Sequence, residues 1–113
     1  MNKLYERDED LFAGMLDHCD RIMLVTKRVS SLKEYFKDWV LQDAIKMNLF
    51  QIGELANHVS EKRRMELSEI PWKNMIGMRN IIAHGYISID EKLLWETCVK
   101  DVPELKKKLE AAL

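Results

Sequence analysis

The chain predicts an all-α fold, an antiparallel helical bundle with four to five main helices. Two observations carry that expectation. Four glycines and two prolines among 113 residues leave few places to turn. The apolar residues recur at i, i+3, i+4 and i+7 over nearly the whole length, the spacing that puts them on one side of a helix. No repeat, low-complexity tract or second domain interrupts the pattern, so residues 1–113 are expected to form one domain.

In the first segment Phe12, Met15, Leu16, Cys19, Ile22 and Met23 form a single buried stripe. Asp8, Glu9 and Asp10 suit the positive start of this helix and Lys27 and Arg28 its negative end, with a stop expected near Val29-Ser30-Ser31. Ser31 followed by Glu34 reads as a capping box for the next run, with Phe36 and Trp39 as its first anchors. From Leu41 the pattern strengthens. Leu41, Ala44, Ile45, Leu49, Ile52, Leu55, Ala56 and Val59 line one face, and Met47 and Phe50 widen it, so this helix is expected to touch more than one neighbour. Gly53 in its interior costs roughly 1 kcal/mol relative to alanine and therefore points to a close helix crossing. Ser60 to Ser68, with Lys62-Arg63-Arg64, closes or frays the helix, and the charge cluster reads as a solvated face.

Pro71 is placed to open a third main helix, whose apolar side is Trp72, Met75, Met78, Ile81 and Ile82. Gly85 then offers the left-handed residue that commonly closes a helix, which sets His84 at the cap. Ser88 and Glu91 suggest a second capping box ahead of Leu94, Cys98, Val102, Leu105 and Leu109, with a break or kink at Pro103 after Asp101. Trp39, Trp72 and Trp95 read as core, and His18 and His58 have no partner legible in the sequence.

Composition excludes several function classes. A formal net charge of -1, with 33% charged residues, lacks the basic field of a general nucleic-acid binder, so any RNA contact must be local. Cys19 and Cys98 form no CxxC and have no histidine-rich neighbourhood, which argues against a zinc site or a disulfide framework and for two buried thiols. No run approaches the roughly 18 apolar residues of a membrane span, and a soluble, cytoplasmic protein is expected.

The chemistry gathers in Arg79-Asn80-Ile81-Ile82-Ala83-His84-Gly85-Tyr86. Arginine brings a permanent planar fork of donors that fits phosphate oxygens, and histidine can move a proton near neutrality. Beside a ribose 2′-hydroxyl and an in-line phosphodiester, such an imidazole can take the proton of the attacking oxygen or give one to the leaving oxygen. The guanidinium can stabilise the charge that builds between them, and no metal is required. The negative end of a helix favours imidazolium, which suits a proton donor. Asn80, one turn before His84, can orient the ring or hold a phosphate oxygen. At 100° per residue Arg79 and His84 lie about 140° apart. They converge if His84 leaves the regular helix at its cap, or if two copies pool their side chains across a twofold axis. The second route is preferred, because Ile76 and Ala83 make the surrounding arc partly apolar and small, as in an interface cleft.

The chain resembles the HepT-type toxins of the HEPN superfamily, the ribonuclease half of HepT/MntA (type VII) toxin-antitoxin pairs. The resemblance covers nearly the whole chain and rests on Leu49-Phe50-Gln51-Ile52-Gly53-Glu54, Ile70-Pro71-Trp72, Met78 to Tyr86, Trp95-Glu96-Thr97 and Val102-Pro103-Glu104-Leu105. It departs at Leu55, where many relatives carry alanine, a difference of packing rather than chemistry. The resemblance implies a HEPN-type bundle that works as a homodimer. It implies a metal-independent endoribonuclease with Arg79 and His84 as the catalytic pair, Asn80 in support and RNA, tRNA among the candidates, as substrate. It also implies a partner, an MntA-like minimal nucleotidyltransferase antitoxin that uses ATP and Mg²⁺ to attach AMP to the motif tyrosine, which maps to Tyr86. The toxin itself would need no cofactor. Glu54 either pairs with Arg79 in the cleft or faces solvent, and the pairing is preferred. The alternative is a non-catalytic HEPN module that binds nucleotide or protein and partners a nucleotidyltransferase.

Overall fold

A computed structural model describes residues 3–85 and 88–113, with side chains from residue 7 onward in the first helix. Among the described residues the secondary structure is helical and contains no strand. Four long helices, α1 (Lys3–Thr26), α3 (Trp39–His58), α5 (Trp72–His84) and α7 (Val102–Ala112), alternate with three short ones, α2 (Leu32–Lys37), α4 (Glu61–Glu66) and α6 (Glu91–Glu96). The long helices lie side by side in the order α5, α3, α1, α7. Neighbours run antiparallel: His18 bonds Asn48 and Asp8 bonds Ser60 across α1 and α3, while Gly53 meets Met75 and Arg79 across α3 and α5. The expected all-α antiparallel bundle is the observed one.

One apolar cluster draws on all four long helices, with Phe12, Met15, Cys19 and Ile22 from α1, Ile45, Leu49, Ile52 and Ala56 from α3, Trp72, Met75 and Ile82 from α5, and Leu105 and Leu109 from α7. The stripes read from the sequence supply this core, except that Ile81 of the α5 stripe and Met47 of the widened α3 face are exposed. Burial of such side chains contributes about 1.5–3 kcal/mol each before the entropy of ordering is subtracted. The predicted interior glycine also finds its reason. A Cβ on Gly53 would overlap the Arg79 Cβ and come within 2.7 Å of the Met75 carbonyl oxygen, so α3 and α5 cross too closely there for any side chain.

Local signals hold at some element ends and fail at others. Ser31 caps α2, accepting from the Glu34 N–H, while Glu34 reaches back to the N–H and hydroxyl of Ser30, one residue earlier than a standard capping box places it. Ser60 to Ser68 does more than fray α3, because the Ser60 hydroxyl accepts from the Arg63 N–H and starts α4. The predicted box of Ser88 and Glu91 does not form. Asp90 caps α6 instead, accepting from the N–H groups of Lys92 and Leu93, because the Glu91 carboxylate is bound by the buried Tyr35 hydroxyl at 2.6 Å and by Lys46. The interruption expected near Pro103 is a π turn, Thr97–Asp101, in which the Val102 N–H donates to the Thr97 carbonyl before α7 begins. α1 ends at Thr26, short of Val29, and Asp8 lies inside it rather than at its start.

Two placements differ more sharply. Trp39 is not core: it begins α3 with 70% of its surface exposed, and Phe36 and Met47 are exposed near it, whereas Trp72 is buried and Trp95 half-buried. Gly85 is not left-handed, with φ at -111°. Its N–H closes α5 on the Ile81 carbonyl at 2.8 Å, and a Cβ would lie 2.9 Å from that oxygen, so a close backbone approach explains the glycine.

Candidate active site

The close crossing of α3 and α5 sets the position of Arg79. With Gly53 bare beneath it, the Arg79 side chain leaves α5 directly over α3, and three groups then hold the guanidinium. Glu54 accepts from Nε, Asn80 Oδ1 accepts from Nη1 at 3.0 Å, and the Phe50 ring centroid lies 5.3 Å from Cζ. A planar cation held on one edge by a carboxylate and stacked on a ring keeps its remaining N–H groups for a ligand. Arg79 and Glu54 are each about three-tenths exposed, so the pair is open to solvent on one side and sheltered by α3 on the other.

Phe50 and Glu54 are one turn apart on α3, and Val40, Asp43 and Met47 continue the same stripe at spacings of three and four. The sequence reading placed Phe50 in the widened apolar face but did not connect it to Arg79. Its signal was available, since Phe50, Gly53 and Glu54 bracket one helical turn. The expected pairing of Glu54 with Arg79 is present. Asn80 is turned to the guanidinium, so it orients the arginine rather than the imidazole.

His84 is the last residue of α5 and is exposed. Among the described residues, no hydrogen bond or ion pair joins it to Arg79, in keeping with the 140° offset between positions five apart. Arg79 faces the α3 side of α5, whereas His84 shares the outward stripe of Lys73 and Asn80. The structure thus brings Arg79, Asn80, Glu54 and Phe50 together and leaves His84 apart from them, exposed at the helix end. Tyr86 lies outside the described residues.

Arg63, His18 and His58 have structural partners. Arg63 lies over the Phe12 ring at 5.7 Å and pairs with Glu66, and His18 and His58 bond Asn48 and Arg7 respectively. Asp8, only 3% exposed, accepts from both the N–H and the hydroxyl of Ser60, tying the second turn of α1 to the turn before α4. Cys19 and Cys98 are buried and free, and burial pushes the Cys19 thiol up to about 12 and raises that of Cys98 as well. Among the described residues no three His, Cys, Asp or Glu side chains converge as a metal site, and no helix is long and apolar enough to cross a membrane.

Comparison with known proteins shows the family. Residues 15–112 match the family model described as "Ribonuclease HepT-like". A "Putative RNase" of Methanocaldococcus jannaschii is 32% identical over 106 residues, covering 93% of this chain and 96% of that protein. A second protein so named, from Caldanaerobacter subterraneus, is 32% identical over 88% of each chain. A "Probable ribonuclease HepT" of Thermococcus cleftensis is 28% identical over 82% of this chain and 93% of its own length. No solved structure matches. With nearly the whole helical bundle covered by that model, and with relatives matched along most of their own lengths, this chain belongs to the HepT-like ribonuclease family.

Proposed function

We propose that this HepT-like ribonuclease is the toxin of a HepT/MntA-type pair and that it cuts RNA without a metal, using Arg79 and His84 as catalytic residues. The observation that carries the reading is the mounting of Arg79. A cation fixed by Glu54, Asn80 and Phe50, five residues before an exposed histidine at the helix end, is preorganised for a charged phosphate rather than for packing.

In this reading the ribose 2′-hydroxyl attacks the adjacent phosphorus in line. An imidazole accepts the hydroxyl proton or supplies one to the departing 5′-oxygen, and Arg79 stabilises the added negative charge on the phosphoryl oxygens. The 2′-oxygen to phosphorus bond forms as the 5′-oxygen bond breaks, giving a 2′,3′-cyclic phosphate and a 5′-hydroxyl end. Since Arg79 and His84 face different sides of one α5, a homodimer that sets the α5 ends of two copies together supplies the missing convergence. The exposed Phe36, Trp39, Val40 and Met47 lead along α2 and α3 toward Phe50, and an apolar surface of this kind suits the second copy.

Restraint is assigned to an MntA-like nucleotidyltransferase that uses ATP and Mg²⁺ to attach AMP to Tyr86. The added phosphate and base would stand two residues from His84, where they repel and obstruct an RNA backbone. His84→Ala is expected to lower RNA cleavage by at least about 10²-fold, the scale of general acid-base catalysis, with unchanged helical content and sedimentation. Undiminished cleavage by that variant would falsify the assignment. Incubation with the partner, ATP and Mg²⁺ should add AMP-sized mass increments to a peptide containing Tyr86, and increments confined to another peptide would remove the regulatory part.

A further inference from the structure

Gly77 presents the reverse of the situation at Gly53. It lies in the middle of α5, where glycine costs roughly 1 kcal/mol relative to alanine, yet a Cβ added there would meet nothing within 4 Å. Among the described residues no contact requires the missing side chain. The bare spot falls on one outward stripe of α5, because Lys73, Gly77, Asn80 and His84 follow one another at steps of four, three and four. Lys73, Asn80 and His84 are exposed.

Two grooves border this stripe and Gly77 lines both. The first, about 710 Å³, lies toward α4 and carries Arg64, Lys73, Asn74 and Asn80 with one carboxylate, Glu61. The second, about 550 Å³, lies toward α7, where Asp101 and Glu104 offset Lys73 and Lys108. A polyanion favours the first. Arg64, half-buried, lines this groove, and its Nε has no hydrogen-bond partner among the described residues, whereas the neighbouring Arg63 is well engaged. Among the described residues neither Arg64 nor Lys73 is held in an ion pair. At the far end of the groove α5 begins on Pro71, which contributes no side-chain cap; the Trp72 N–H donates to the Ile70 carbonyl at 2.8 Å. Met65, three-quarters exposed, and Pro71 give apolar surface for bases.

We propose that the groove between α4 and α5 is the track along which single-stranded RNA leaves the cleavage centre, with Lys73 and Arg64 binding phosphates and Gly77 admitting the sugar-phosphate backbone against the helix. The proposal rests on the ribonuclease reading of Asn80 and His84: Asn80 lines the groove, and His84 follows it one turn on along the same stripe of α5. Lys73 and His84 are eleven residues apart on one helix, about 16 Å at 1.5 Å per residue, a reach of a few nucleotides. Side chains at positions 73 and 64 bind backbone and carry no base readout, so the track confers length preference rather than sequence preference.

The test uses the full chain and a single-stranded oligoribonucleotide of mixed sequence, 2′-O-methylated so that it cannot be cut. Lys73→Gln and Arg64→Gln should each weaken binding about three- to tenfold and lower the slope of log K against log salt by about 0.7. Gly77→Leu should weaken binding at least about tenfold while raising the thermal midpoint, since it removes a helix-interior glycine. On a cleavable RNA of the same length these variants should raise KM with kcat nearly unchanged, and a dinucleotide substrate, too short to reach Lys73, should be cut as by the wild type. Unchanged salt slope and KM in all three variants, with His84→Ala inactive, overturn the track and leave the ribonuclease reading standing. Dissociation of a dimer by Gly77→Leu, with oligonucleotide affinity kept, assigns the space to a second copy and also overturns it. If His84→Ala still cleaves, the catalytic reading fails, while the salt slope on the uncleavable oligonucleotide continues to decide the track.

Discussion

The crossings on the two sides of α3 are built differently, although each has a glycine at its point of contact. Where α1 crosses α3, a Cβ on Gly14 would approach the Leu55 Cδ1 at 2.9 Å, the far end of a side chain that can turn aside. Where α5 crosses α3, a Cβ on Gly53 would strike the Arg79 Cβ and the Met75 carbonyl, which belong to the helix itself and cannot yield without moving it. The first crossing is adaptable packing around Phe12, Met15 and Cys19. The second is a fixed mount for a guanidinium. Close approach at one site thus serves cohesion, and at the other serves aim.

The sharpest way to break the distinction is Gly53→Ala. It should cost about 1–3 kcal/mol by overpacking and lower RNA cleavage by about 10²-fold through displacement of Arg79, read by urea unfolding and by cleavage of a labelled RNA. Full activity in a destabilised variant would show that aim does not depend on the crossing. Next in size is Glu54→Gln, which keeps shape but removes the negative charge that faces Arg79 Nε. Cleavage should fall about tenfold or more with little loss of stability, because the pair is partly solvated. A comparable loss of folding free energy and activity would make Glu54 a structural group only.

The α1 side makes its own prediction through Cys19 and Cys98, which are packed without solvent. Burial raises both thiols, and Asp20 adds to the shift of Cys19. The folded state therefore keeps protons that the unfolded chain gives up near pH 9, so this contribution is complete below about pH 9 and is lost as pH rises toward about 12. Urea unfolding from pH 8 to 10.5 should show that decline, and it should diminish in a Cys19→Ala, Cys98→Ala background. Alkylation by iodoacetamide should be slow in the folded chain for the same reason. The smallest effect is expected at Gly14→Ala, within about 1 kcal/mol of either sign, since gained helix propensity opposes the shift of Leu55. A loss as large as that of Gly53→Ala would erase the contrast between the crossings.

The sequence carried the fold wherever the cause was local or periodic. Stripes of apolar residues became the core, Ser31 capped α2, and the cost of Gly53 in a helix announced a close neighbour. Legibility failed where distant groups competed. Glu91 could not complete a box with Ser88 because Tyr35 and Lys46, far back in the chain, hold its carboxylate. Asp8 was read as a helix-start acid, yet Ser60 draws it into the interior. At the site, the residue types were legible in Arg79, Asn80 and Glu54, but Phe50 beneath the guanidinium required knowing how α3 and α5 face each other. Gly85 was assigned the right place for the wrong reason, since its backbone is ordinary and its neighbour is tight.

The exposed indole of Trp39 supplies a reporter that the chain carries without labelling. Of the three tryptophans, Trp72 is sealed beside Phe12 and Trp95 is partly covered near Tyr35, so the red, water-quenched part of the emission comes mainly from Trp39. Because Trp39 sits among the apolar side chains assigned to pairing, dilution should shift the spectrum to longer wavelength as copies separate, and a Trp39→Phe chain should show no such shift.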